Sequence, residues 1–139
     1  MNKEDKELLL KDLYGRSPYG VKCCVRNNHK LCGNLVGIVG ENIYIFSSGC
    51  TTFNISVIIP YLFPLSSMTE EQKEELKNLG WNFDNFEIHN VSECLGTYRE
   101  YVTHLDCSVL IDWLNKNHFD YRGLIEKGLA IDATNLNIY

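Results

Sequence analysis

Between Tyr19 and Ile59 the chain alternates short β-prone segments with tight-turn compositions, and this rhythm restricts its fold more than any other feature. Val21 to Arg26, Leu31 to Val39, Ile43 to Phe46 and Phe53 to Ile58 are the segments; Asn27-Asn28, Gly40-Glu41-Asn42 and Ser47-Ser48-Gly49 separate them. Asn and Gly accept positive φ at little cost, so each cluster reads as a reversal between antiparallel neighbours. Four such strands make a twisted meander, packed as a strongly curved antiparallel sheet or a small SH3-like barrel. A helix across the open face of a plain sheet is the rival arrangement. Pro60 and Pro64 are expected to stop the fourth strand, because proline lacks a ladder donor.

Helical signals flank the meander. Leu9, Leu10, Leu13 and Tyr14 recur at helical spacing over Asn2 to Tyr14, and Gly15 is placed to end that helix. Thr69 and Gln72 form a capping box for Glu70 to Leu79, which carries only Leu76 and Leu79 as strong apolar contacts and is expected on the surface. Cys107, Leu110, Ile111 and Leu114 define an apolar stripe over Cys107 to Asn117, with Asp106 as N-cap. Trp81 to Leu105 reads as a hairpin, from the Tyr, Val and Thr of Tyr98 to Leu105. Tyr121 to Lys127 reads as a further helical turn closed by Gly128, and the polar tail from Asp132 is expected to fray. No linker divides the 139 residues, so residues 1–139 read as one α+β domain: N-terminal helix, curved sheet or small barrel, then C-terminal helices.

Charge narrows the function classes. Thirteen basic against 18 acidic residues leave a net charge of −5, and no basic run reaches four, which argues against general nucleic-acid binding. No apolar stretch approaches the ~20 residues that cross a bilayer, and Met1 to Lys11 lacks the apolar core of a secretory signal, so a cytoplasmic protein is expected. The six cysteines include no C-x-x-C pair, which removes the zinc-knuckle and thioredoxin patterns; they read as free thiols.

The chain shows no Gly-rich phosphate loop, and His29, His89, His104 and His118 lack metal-ligand spacing, so neither a cofactor nor a metal is expected. His104 with Asp106 and His118 with Asp120 each set a carboxylate two residues from an imidazole, and Cys94 or Cys107 offers a thiol to pair with a histidine. No catalytic residue is assigned from these pairs. The stronger candidate is a ligand-binding surface of His118, Asp120, Tyr121, Arg122 and Gly123. Tyr supplies a stacking face, Arg a planar fork for phosphate or carboxylate, and Gly a close backbone approach. The competing reading pairs Arg122 with Asp120 or Glu126 and buries Tyr121 in the core.

Three blocks also carry a resemblance: Pro18-Tyr19-Gly20-Val21; the run from Pro60-Tyr61-Leu62-Phe63-Pro64 to Thr69-Glu70-Glu71; and Asp112-Trp113-Leu114-Asn115 continuing through His118 to Ala130. Together they cover about a third of the chain and resemble a group of short hypothetical proteins of gut Bacteroidetes and their phages. That group usually ends in a Pro-containing tail, from which Asp132-Ala133-Thr134-Asn135 departs. The resemblance implies a cytosolic, phage-borne accessory protein and no catalytic residue. The expected function is therefore a non-catalytic binding protein that sequesters a small anionic ligand, such as a nucleotide-derived immune signal of the host; self-association into an oligomer fits that role. A protein–protein module that inhibits a host enzyme is the first alternative, and a small hydrolase using a His-Asp or Cys-His pair the second.

Overall fold

The structure, a computed structural model, describes residues 1–84, 87–90 and 107–139. Helix α1 (Lys3–Arg16) starts at Asn2, whose side chain accepts from the Asp5 amide at 2.7 Å. It does not stop at Gly15. A 3-10 turn at Ser17–Tyr19 carries the chain to Gly20, whose φ of 63° makes the reversal. Gly15 serves packing instead, since a Cβ there would lie 3.1 Å from Nδ2 of Asn115. The buried face of α1 also departs from the apolar stripe. Leu9, Asp12, Leu13 and Arg16 are buried, whereas Tyr14 is 52% exposed.

Strands β1 (Lys22–Val25), β2 (Asn28–Val39), β3 (Asn42–Phe46), β4 (Cys50–Asn54) and β5 (Ile58–Pro64) follow. They pair antiparallel in the order β4-β3-β2-β1-β5, with register shifts at Cys24/Val25 and Leu35/Gly37 that bend the sheet. The fourth sequence segment is split. Asn54 accepts from the Ser56 amide at 3.0 Å and starts a 3-10 turn over Ile55–Val57, after which β5 runs straight through Pro60. The Arg26 amide donates to the Val57 carbonyl at 2.8 Å, so odd-numbered residues of β5 carry the bonds to β1. The donor that Pro60 lacks would face the other edge, which is why proline is tolerated there.

Helix α2 (Glu70–Asn78) has the expected capping box at Thr69 and Gln72, and lies on the surface with Leu76 alone fully buried. The hairpin β6 (Trp81–Asp84) and β7 (Glu87–Asn90) comes next; Tyr98 to Leu105 lies outside the described residues, as does Asp106. After α3 (Cys107–Lys116), strands β8 (Phe119–Asp120) and β9 (Ile131–Asp132) add to β5 in parallel. The Phe63 amide donates to the His118 carbonyl, and the Leu62 carbonyl accepts from the Ala133 amide, both at 2.9 Å. Those two groups belong to one peptide unit and point opposite ways, so the end of β5 is flanked on both edges. The sheet is thus mixed and open rather than a closed barrel. Residues 121–127 form turns, not a helix, and the tail is pinned rather than frayed.

One core lies between α1 and the sheet, where Leu9 and Leu13 meet Leu35, Ile43, Ile45, Ile58 and Leu62. Burying each such side chain contributes roughly 1.5–3 kcal/mol. A second cluster joins Leu76 of α2, Leu110 and Leu114 of α3 and Phe119 of β8. A third, Cys24, Ile59, Tyr61 and Ala133, lies under the C-terminal tail. The arrangement is α+β, with a helix covering an open sheet face.

Candidate functional site

The five residues singled out from sequence do come together, and each has a structural partner. His118 ends α3 at φ 59°, a conformation that C-terminal caps adopt. Its ring stacks on Tyr139 at 4.0 Å, and burial, with the nearby charge of Arg16, pulls its pKa down to about 4. The buried Asp120 carboxylate accepts from the amides of Arg122, Leu124 and Ile125 at 3.2, 3.0 and 2.8 Å and so shapes the following turn. Gly123 supplies the positive φ of 69° in that turn. The Tyr121 hydroxyl donates to Asn115 Oδ1 at 3.1 Å and accepts from Arg122 Nη2 at 3.2 Å.

Arg122 does lean on an acid, but on one 110 positions away: its Nε is 3.4 Å from Asp12 Oδ1. Asp12 already holds Arg16 through Nε at 2.6 Å and Nη2 at 3.0 Å, and Nη2 also donates to the Phe119 carbonyl at 2.7 Å. Both guanidinium groups lie over the Tyr121 ring, at 5.5 and 4.8 Å. An unpaired charge in the interior costs several kcal/mol, so Asp12 acts as the shared counter-ion of Arg16 and Arg122, although Arg16 Nη1 finds no hydrogen-bond partner among the described residues. This cluster fastens the segment after α3 onto α1.

The open space lies elsewhere. A pocket of about 560 Å³ sits between the start of β1, the β1–β2 hairpin, the end of β3 and the tail. Lys22, His29, Asn34 and Ser47 supply polar groups, Phe46 and Tyr61 aromatic ones, and no Asp or Glu among the described residues lines it. Gly33 lets the walls meet: a Cβ there would press on the Phe46 carbonyl, 2.8 Å from its carbon. The tail forms one side. Lys22 Nζ donates to the Ile138 carbonyl at 2.8 Å, the Lys22 amide donates to the Tyr139 hydroxyl at 3.0 Å, and that hydroxyl donates to the Tyr61 carbonyl at 2.8 Å. That bond takes one ammonium proton, and an ammonium group has two more to offer a ligand. Sequence reasoning did not group these residues: register sets Asn34 opposite Lys22 and leaves His29 near the turn, and the turn composition Asn27-Asn28, which reverses the chain into β2, was the only local hint.

Cysteine usage also differs from expectation. Cys24 and Cys32 stand opposite each other on β1 and β2, Cα atoms 4.1 Å apart, and are joined as a disulfide. Cys23 is a buried free thiol whose pKa burial raises, while Cys50 and Cys107 are exposed, Cys107 despite its place on the α3 stripe. Cys94 and His104 lie outside the described residues. Of the proposed catalytic pairs, the Asp120 carboxylate is taken up by three backbone amides, and the His118 ring is stacked on Tyr139. No group of three or more His, Cys, Asp or Glu among the described residues could hold a metal ion, and no helix among them is long and apolar enough to cross a membrane. No family model, curated protein or solved structure matches the chain.

Proposed function

We propose that this chain is a non-catalytic binding protein whose pocket at Lys22 and His29 takes a small anion bearing a planar group. The observation that carries this reading is the lining itself. In a protein with five more acidic than basic residues, a pocket with a lysine, a histidine and no Asp or Glu among its described lining is a local inversion of charge. Its volume falls in the range of small-molecule sites, roughly 300–1,000 Å³. Lys22 and His29 attract the anion, Asn34 and Ser47 orient it, and Phe46 with Tyr61 offers apolar surface to a ring. A nucleotide-derived signal has this chemistry, and sequestration in a host cytoplasm follows from the phage resemblance. Tyr121, Arg122 and Gly123, half-buried, hold the segment after α3 against α1 in this reading.

The test is a thermal-shift panel of nucleotides and other phosphorylated or carboxylated ring compounds, followed by Lys22→Ala and His29→Ala. A saturable rise in Tm that each variant weakens at least about tenfold in Kd is expected, with the ligand recovered chemically unchanged. If the whole panel leaves Tm unmoved, the reading fails. A second reading, a surface for another protein, draws on Leu31, Val36, Val39 and Phe46, apolar side chains of β2 and β3 that are 49–65% exposed.

A further inference from the structure

The Cys24–Cys32 bridge does not behave as a buried staple. The strands it joins are already paired on either side, Cys23 with Gly33 before it and Val25 with Asn28 after it, and β1 is held again by β5. Opening the bridge therefore leaves the ladder in place. Its two sulfurs also differ in setting. Cys24 is 0% exposed, whereas Cys32 is half-buried and lines the pocket.

In thiol–disulfide exchange a thiolate attacks one sulfur and the other leaves with the bonding electrons, so surroundings decide which is which. The Tyr61 hydroxyl lies 3.0 Å from Cys24 Sγ and 3.8 Å from Cys32 Sγ. A hydroxyl donor at that distance stabilises negative charge on Cys24. The His29 carbonyl oxygen lies 2.8 Å from Cys32 Sγ and disfavours charge there. Cys32 is thus the accessible, attacked sulfur and Cys24 the leaving one.

We propose that Cys24–Cys32 is a reversible thiol–disulfide site that exchanges with an anionic low-molecular-mass thiol seated beside Lys22 and His29. This rests on the reading that the pocket takes small anions and names a substrate class for it. The incoming thiolate bonds to Cys32 Sγ as the Cys32–Cys24 bond breaks, and the electron pair passes to Cys24, which takes a proton from solvent while Tyr61 hydrogen-bonds it. A second thiolate attacks the small molecule's sulfur in the mixed disulfide and releases Cys32, which takes a proton in turn. Two small thiols are oxidised to their disulfide, and the protein bridge is reduced to two thiols.

The experiment treats the full-length oxidised chain with reduced glutathione, or with cysteamine as a cationic probe of similar reactivity, quenches with an alkylating agent and locates adducts by peptide mass. The mixed disulfide is expected on Cys32. At equal thiolate concentration glutathione should react about tenfold faster than cysteamine, an advantage that Lys22→Ala abolishes. Given oxidised glutathione, Cys24→Ser should form the mixed disulfide at Cys32 and release one reduced glutathione, and Tyr61→Phe should slow opening of the bridge. Cys24 and Cys32 both found as free thiols in the protein kept under air, an adduct on Cys24, or equal rates with both probes would each overturn the proposal, and all three are read on the wild type even if a variant misfolds. S-methylglutathione, which cannot exchange, separates the two ideas. If it binds in a Lys22-dependent way while the bridge stays inert, exchange is wrong and anion binding stands. If exchange proceeds with no charge preference and no anion binds, the pocket reading falls as well.

Discussion

Acidification from pH 7 towards pH 4 should cost this protein stability through His118. The ring is 9% exposed, its Nδ1 has no hydrogen-bond partner among the described residues, and it stacks on Tyr139 close to the Arg16 guanidinium. Burial first, and the Arg16 charge second, lower its pKa from 6.5 to about 4. An unfolded chain takes up the proton near pH 6.5, while the folded one resists until about pH 4. Between these values the unfolded state binds more protons, so stability is full above pH 6.5 and falls as pH drops through that window. At ~1.36 kcal/mol per pH unit the gap is worth about 3 kcal/mol. Discounting for the part of the ring that solvent still screens leaves roughly 2 kcal/mol. The assay is urea unfolding, followed by tryptophan fluorescence at several pH values from 7.5 to 4.5, for the wild type and His118→Asn. Asparagine tolerates the positive φ of 59° and does not titrate. The variant loses the stack on Tyr139 and starts lower, so the slopes are compared rather than the values. The wild type should lose about 2 kcal/mol more than the variant across the window. Parallel profiles would refute the account of His118 as a buried neutral ring.

The other expectations concern the buried charges, a close approach and the tail. Asp12→Ala leaves Arg16 without its carboxylate and should destabilise by about 3–5 kcal/mol, whereas the double change Asp12→Leu with Arg16→Met should recover most of the loss in the same denaturation curves. Gly33→Ala forces a Cβ against the backbone of Phe46 and should cost about 1–3 kcal/mol, with crosspeak shifts in an NMR spectrum concentrated at the β2–β3 pairing; unchanged stability would mean that the strands are not so close. Tyr139→Phe removes a hydroxyl that both accepts from the Lys22 amide and donates to the Tyr61 carbonyl, so it should cost about 1–2 kcal/mol and speed amide exchange at Lys22.

What could be read in advance was whatever a few neighbouring residues settle among themselves. Thr69 and Gln72 satisfy each other across three positions, Gly80 ends α2, and Leu110 with Leu114 gives α3 its buried stripe. The turns at Asn27-Asn28 and Gly40 likewise place the β1–β2–β3 reversals close to where they occur. The misreadings share a cause. Pro60 is a strand breaker or a strand member according to which edge its nitrogen faces, and Gly15 a stop or a contact according to whether Asn115 arrives.

The amino-acid sequence on its own therefore determined the class: an α+β chain with a first helix, a turn-rich meander and further helices after it, one with a capping box, because propensity, capping and periodicity act over a handful of residues. Only the tertiary structure decided the chemistry. Asp12 meets Arg122, Lys22 meets Ile138, and Cys24 faces Cys32, through strand register and chain returns of up to 116 residues. Register is set by the summed burial of whole strands, so it appears in no local motif, and a pocket assembled from four separate stretches appears only when they are folded together.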